Sequence, residues 1–499
     1  MWSAPQARRA VILVHRWTGV ATCVLMALWL FSGIVMLFVG YPRLLPAERL
    51  GAMAPLSSAT CCVPVEAALR HSPAPKAVQQ ITLSSVAGLP VYRLKEADGT
   101  LRVVDALTGA LAAPVDDAAA LRSAQAFVAG YAGRVEGRTH DDRWTHSGLL
   151  DPHRPLLKVQ MHDPARTLLY VSSTTGEVVM DAPQYQRYWN FVGAWLHWVY
   201  MFREGSRDPF WSWLVIGLSA LGTLSALAGA LVGIWRWRFV GRYGSGAKTP
   251  YREFHMRWHH LAGLVFGPVL ILWIFSGLMS MNPLGVFDPA VRPDVKAYQQ
   301  GVPGQLQPRI AVREVLALLA DAGFDARELD WKVLVGQPYL LARDGAGAAR
   351  LLLSEGGAWQ VRERFTQQQL AAPARLLFAA GIGEMAWLDA YDTYYLRRGE
   401  ASMYAAAARE LPVLRLQFDD PGRTLAYLSS HSGDLVLSVD RAQRLGRWLF
   451  NLLHSWDLPW MLRPALARDA VLVGLSLGAL ALGLTGVVLG WRRLRIFRP

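Results

Sequence analysis

The sequence predicts a membrane α-helical bundle of four main transmembrane helices in two duplicated halves, with two periplasmic α+β domains. Three observations predict it. Only 18% of the 499 residues are charged and 53% are hydrophobic, against about 25% charged in an ordinary soluble domain. Four segments, at approximately 10–39, 210–235, 258–284 and 469–491, are apolar over the roughly 20 helical residues that a bilayer core of about 30 Å requires. The pattern of the first half also returns in the second.

Residues 1–40 form the first transmembrane helix. Arg8 and Arg9 precede it as they would in a secretory leader. Its apolar run exceeds the roughly 7–15 residues of a leader's core, however, and it is read as a retained span. Residues 41–187 form the first α+β domain. Val91-Tyr92-Arg93-Leu94 and Leu168-Leu169-Tyr170-Val171 carry strand character, Asp98-Gly99 and Thr175-Gly176 mark turns, and Pro64–Arg70 and Ala118–Tyr131 are helical. Residues 188–240 hold a short helix with His197 and then the second span. A loop at 241–257 and a span at 258–284 follow, with a second α+β domain at 285–445. Residues 446–499 supply a short helix with His454, the fourth span and a basic tail.

The net charge of +13 is informative through its placement. Arg236, Arg238, Arg242, Lys248, Arg252 and Arg257 crowd the short loop between spans two and three, and Arg492, Arg493, Arg495 and Arg498 close the chain. Short basic loops face the cytoplasm. Both termini and the 241–257 loop are therefore placed inside a bacterial inner membrane, and both long regions outside it. The membrane rule accounts for these basic residues, so no nucleic-acid partner is inferred. Among the three cysteines, Cys61 and Cys62 are adjacent and too close for an ordinary unstrained disulfide. No CxxC pair offers a thiolate metal site.

The duplication is read from paired residues. His259 follows His15 by 244 positions, and the same offset joins Gly19 to Gly263, Trp29 to Trp273, Ser32 to Ser276 and Gly33 to Gly277. An offset of 257 joins Asp163-Pro164-Ala165-Arg166-Thr167 to Asp420-Pro421-Gly422-Arg423-Thr424, His197 to His454, and Gly229 to Gly486. The second external region thus carries a net insertion.

Four histidines occupy equivalent places in the two halves. His15 and His259 lie near the cytoplasmic ends of spans one and three, and His197 and His454 lie on the external side, before spans two and four. Imidazole is a common axial ligand of haem iron, and an ionisable residue in a span is a functional candidate. Two layers, each with a symmetry-related pair, match the needs of two bis-histidine b haems: His15 with His259, and His197 with His454. Gly19, Gly263 and Gly193 stand one helical turn from their histidines and leave room for a flat macrocycle. The glycines of spans two and four are read first as helix-packing positions. His255 and His260 are reserve ligand candidates, since each lies close to His259 in sequence. His140, His146, His153 and His162 form no clean metal motif and are read as a polar surface.

The sequence lacks a Rossmann glycine fingerprint, a P-loop, and the HExxH and GxSxG signatures. An electron donor must therefore come from elsewhere, as quinol, reduced flavin or another protein. The starts His15-Arg16-Trp17-Thr18-Gly19 and Arg257-Trp258-His259-His260-Leu261-Ala262-Gly263, with Trp195-Leu196-His197 and Leu453-His454 before glycine-rich spans, resemble the PepSY-associated transmembrane proteins, specifically the siderophore or iron-uptake reductase type. The segments Val91–Gly109 and Leu168–Val179 look like PepSY units. The resemblance covers nearly the whole chain. It implies an inner-membrane oxidoreductase that uses haem b to reduce a ferric siderophore. His260 stands where the first copy has Arg16, a departure from the repeat. Two alternatives stay open: a non-enzymatic PepSY module that binds or restrains a periplasmic peptidase, and a membrane transporter built from the repeated halves.

Overall fold

The computed structural model describes residues 4–399, 409–462 and 465–495; Arg498 lies outside them. The chain divides into two compact units. One gathers residues 1–41, 188–288 and 442–499, and the other residues 42–187 and 289–441.

The first unit is helical. Four helices are long and apolar enough to cross a membrane: Ala4–Phe38, Pro209–Arg236, Phe254–Ser280 and Ala465–Arg495. Their starts follow from local chemistry. Asp208 caps the second span by accepting from the Trp211 N–H, with Pro209 in the first turn, and Glu253 caps the third by accepting from the Met256 N–H. The first span packs mainly on the second and fourth, and so does the third, so spans one and three face each other across the bundle. Small residues permit the close crossings. Ser219, Gly222, Ser225 and Ala228 form a buried stripe on the second span, and Ser476, Ala479 and Gly483 lie buried on the fourth. Met26, Leu30, Leu270, Ile274 and Leu482 fill the middle of the bundle.

The second unit is a β-rich body of fifteen strands among the described residues. The first long region supplies β1 (Gln80–Val86), β2 (Leu89–Lys95), β3 (Leu101–Asp105), β4 (Gly133–Thr139), β5 (Leu156–Met161), β6 (Leu168–Ser172) and β7 (Val178–Ala182). The second supplies β8 (Glu328–Leu334), β9 (Gln337–Arg343), β10 (Ala349–Glu355), β11 (Ala358–Arg362), β12 (Ile382–Leu388), β13 (Val413–Phe418), β14 (Leu425–Ser429) and β15 (Leu435–Val439). They make a seven-stranded sheet in the order β11-β10-β9-β8-β1-β2-β3 and two four-stranded sheets, β4-β5-β6-β7 and β12-β13-β14-β15. Neighbours in all three are antiparallel.

The expectation of two separate domains over 41–187 and 285–445 is corrected here. The two regions share the seven-stranded sheet through β1 and β8, where Ile81 faces Trp331 and Leu83 faces Leu329. The physical reason is a common core. Ile81, Leu83, Tyr92 and Leu94 from the first region pack with Leu329 and Trp331 and with the helix Val312–Asp321. That helix buries Val312, Val315, Leu316 and Leu319, one apolar stripe at helical spacing. Neither region buries its sheet face alone.

The paired Asp-Pro-x-Arg-Thr segments adopt one geometry twice. Asp163 accepts from the Thr167 N–H (2.7 Å) and hydroxyl (2.8 Å), and Asp420 does the same for Thr424 (2.6 and 2.7 Å). Cys61 and Cys62 are joined side by side across a cis peptide bond, which is not the ordinary disulfide arrangement that their adjacency rules out.

Candidate functional site

His15 projects from the first span and His259 from the third, the two spans that face each other across the bundle. Their ring centres lie 6.2 Å apart. His197 and His454 sit on the short helices before spans two and four, with ring centres 6.1 Å apart. Each short helix contains a π-helical turn, at Phe191–Trp195 and Trp448–Leu452, ending two residues before its histidine. Such turns re-aim the side chains that follow and recur at functional sites. Ser32, which touches His197, follows His15 by 17 residues on one helix, a rise of about 25 Å, so the pairs lie near opposite ends of the bundle.

The hydrogen bonds assign the tautomer of all four rings. His15 Nδ1–H donates to the Ser225 carbonyl oxygen at 3.0 Å, an atom that can only accept. The Ser32 hydroxyl donates to Leu28 O (2.6 Å), so its oxygen accepts from His197 Nδ1–H at 3.0 Å. Ser276 donates to Trp273 O (3.0 Å) and accepts from His454 Nδ1–H at 2.9 Å. Thr485 donates to Leu482 O (2.8 Å) and accepts from His259 Nδ1–H at 3.1 Å. Every Nε2 therefore keeps its lone pair and makes no hydrogen bond to a described residue. Metal-binding histidines use their second nitrogen in this manner, which fixes ring orientation and raises basicity.

The spacing has a chemical meaning. An imidazole nitrogen binds a metal at about 2 Å, and the ring centre lies about 1.1 Å beyond it. Two imidazoles on opposite sides of one ion thus place their centres about 6 Å apart. Both pairs have that separation, and both present two free Nε2 atoms. The donor set at each pair, two imidazoles with unbonded Nε2 atoms at that separation, fits what a haem iron would need.

Glycines lie against the rings, though not all the ones that the sequence singles out. A Cβ at Gly229 would stand 2.6 Å from His15 Cε1, and one at Gly486 3.4 Å from His259 Cε1. Gly33 and Gly277 abut His197 and His454 at 3.6 and 3.9 Å. Gly19 and Gly263 instead meet neighbouring spans, at Ser225 Oγ (3.6 Å) and Leu482 Cδ1 (3.7 Å). The space beside Gly193 is taken by Val35, at 3.0 Å, which makes Gly193 a helix-crossing residue. Gly229 and Gly486, read from sequence as packing positions, are the glycines that seat the His15–His259 pair.

Of the two reserve candidates, only His260 has both ring nitrogens engaged. His260 is buried, with Nε2–H donating to Gly233 O (2.9 Å) and Nδ1 accepting from the Thr249 hydroxyl (2.7 Å). Both nitrogens are used, so His260 ties the 241–257 loop to the second span rather than offering a ligand. His255 pairs with Glu253 at 3.0 Å. The hydrogen bond from the Met256 N–H first, and then that from His255, hold the Glu253 carboxyl down at about 2. In the β-rich unit His146 is bound to Asp141 (2.6 Å) and His153 to Ser172 (3.0 Å); burial depresses His153. Among the described residues no group of three or more His, Cys, Asp or Glu side chains is placed to hold a metal ion.

Sequence reading missed the Nδ1 acceptors. Ser32 and Ser276 carry a signal, since they keep the 244-residue offset of the histidines. Thr485 has no counterpart hydroxyl at Ala228, and a carbonyl acceptor such as Ser225 O leaves no trace in sequence.

A family model described as the PepSY-associated TM region matches residues 12–493. No curated protein matches the chain.

Proposed function

The chain belongs to the PepSY-associated TM family, and from that premise we propose that it is an inner-membrane electron-transfer protein that holds two b haems and reduces ferric siderophore iron on the periplasmic side. The observation that carries the reading is the set of four histidines whose Nδ1–H atoms are all engaged and whose Nε2 atoms are all free, in two pairs about 6 Å apart.

His15 and His259 would hold one haem, and His197 and His454 the other. Bound haem supplies an iron centre that alternates between ferric and ferrous by one electron. The chain's own residues do the rest. Ser225 O, Thr485, Ser32 and Ser276 keep each ring in the ligating tautomer. Gly229, Gly486, Gly33 and Gly277 let the spans close on the rings. Met26, Leu30, Leu270 and Ile274 make the layer between the pairs apolar, which bars ions and water while electrons cross.

We place both termini and the 241–257 loop in the cytoplasm because the basic residues collect there. The repeated offsets support an origin of the two halves by duplication. Electrons enter from quinol, reduced flavin or a protein at the His15–His259 side, and leave one at a time for ferric iron. Hard oxygen chelators hold the ferrous ion less tightly, so reduction releases the metal.

The test uses purified full-length protein. Reduced-minus-oxidised spectra are expected to show b-type haem at two per chain. Chemically reduced protein is then expected to be reoxidised anaerobically by a ferric hydroxamate or catecholate, with ferrous iron appearing in a trap. Reoxidation by oxygen alone, with every ferric chelate inert, would remove the reductase assignment.

A further inference from the structure

The two histidine pairs are unlike in geometry. The ring planes of His15 and His259 are inclined by only 30°, whereas those of His197 and His454 cross at 73°. Their Nδ1 acceptors differ as well. The first pair uses one backbone carbonyl, Ser225 O, and one hydroxyl, Thr485. The second uses two serine hydroxyls, Ser32 and Ser276, both fully buried. The crossed pair is clamped on each side. Ser32 holds the His197 nitrogen while Gly33 abuts its Cε1, and Ser276 and Gly277 do the same for His454.

These differences have electronic consequences for an iron bound between the rings. The plane of an axial imidazole selects the iron d orbital with which its π system overlaps. Near-parallel planes raise one such orbital above its partner and stabilise the ferric hole. Crossed planes leave the two nearly level and stabilise it less. A stronger acceptor at Nδ1–H makes the imidazole a better donor, which also favours ferric iron, and a carbonyl accepts more strongly than a hydroxyl. Both effects act in one direction.

We propose that the pairs form electronically unequal sites, in which Ser32 and Ser276 hold His197 and His454 crossed and set that site at the higher reduction potential. The inference rests on the haem reading above. It gives the electron path a slope, downhill from the His15–His259 pair to the His197–His454 pair, the direction that ferric reduction outside the bilayer requires. Ser32 and Ser276 are then positioning residues, which act through the ligands they hold.

Haem content per chain is measured first, followed by low-temperature electron paramagnetic resonance of the oxidised full-length protein. We expect one rhombic low-spin signal and one low-spin signal of large g anisotropy, with the higher midpoint belonging to the second. Ser276→Ala should shift the large-anisotropy signal and its midpoint alone, and Ser276→Thr, which keeps a hydroxyl, should restore both. Ser32→Ala should act on the same signal. The wild-type spectrum is decisive even if a variant fails to assemble. Two signals of one type, equal midpoints, or a change confined to the rhombic signal would overturn this inference and leave the haem reading intact. Absence of haem would sink both.

Discussion

His197 and His454, 257 residues apart in the chain, stand with ring centres 6.1 Å apart and planes crossed at 73°. Each ring is tied by Nδ1 to a serine of the facing span, Ser32 or Ser276. If one iron is shared, the two histidines act as a unit. His197→Ala and His454→Ala should each remove the same haem, and the double substitution should add little to either single one. His15→Ala and His259→Ala should remove the other. Haem quantification with low-temperature spectra checks this; loss of different haems from His197→Ala and His454→Ala would break the pairing.

In the β-rich unit, Glu328 on β8 joins the two long regions electrostatically. It accepts from Arg49 through both carboxylate oxygens (2.7 and 2.9 Å) and from Arg93 at 3.1 Å, with 4% of its side chain exposed. Glu328→Gln keeps the shape but removes the charge that Arg49 and Arg93 share, leaving Arg93 its pair with Glu177 and Arg49 without its bidentate partner. The expected loss is on the order of 3 kcal/mol, the low end for breaking a buried pair, because both arginines keep some contact with water. Denaturant unfolding of the variant measures it. A shift below 1 kcal/mol, about what an exposed pair is worth, would contradict this account.

How much of this is legible in sequence depends on what kind of contact carries it. The spans are legible from hydropathy because each is a local run. The proximity of His15 to His259 follows from the repeat offset together with depth in the bilayer. The joining of β1 to β8 is not legible, since antiparallel pairing across about 250 residues depends on which apolar faces meet. Alternation gives each strand a face but no partner. His260 looks like a spare ligand because it neighbours His259, and only the hydrogen bonds to Gly233 O and Thr249 show it to be engaged.

Asp181 on β7 predicts a pH dependence. Burial, with a smaller contribution from the Glu48 charge, raises its carboxyl to about 7, and its Oδ1 is buried without a hydrogen-bond partner. An unfolded chain releases this proton near the usual carboxylate value, about 4. Between about pH 4 and pH 7 the folded state binds the extra proton, so stability falls as pH rises through that window. Asp181→Asn cannot ionise. It should match the wild type at pH 4 and exceed it by about 1–3 kcal/mol above pH 7, the usual cost of a buried unsatisfied group. Thermal unfolding at both pH values tests the sign, and a variant weaker than wild type at pH 8 would reverse it.

Orientation is tested by labelling. Ser245 is exposed within the basic 241–257 loop. In a background with Cys23, Cys61 and Cys62 replaced, Ser245→Cys should resist a membrane-impermeant maleimide in intact spheroplasts and react after lysis. Labelling before lysis would invert the proposed topology and, with it, the direction of electron flow.

The glycines beside the rings separate a seat from simple packing. Gly229 and Gly486 are equivalent in the repeat, yet a Cβ would stand 2.6 Å from His15 Cε1 at the first and 3.4 Å from His259 Cε1 at the second. The first distance is too short for any real contact. The His15 ring, pinned by its hydrogen bond to Ser225 O, would have to move. The second is a tight contact that a displacement of a few tenths of an ångström relieves. Gly229→Ala should therefore cost the haem at the His15–His259 pair, or lower its occupancy severalfold, while the other haem stays in place. Gly486→Ala should keep both haems, with a small shift in the spectrum of the first. Haem per chain, with the spectrum of each site, reads both outcomes. Equal effects at the two positions would mean that the glycines serve only the packing of spans two and four on spans one and three, and that the close approach at His15 has no part in seating the ring.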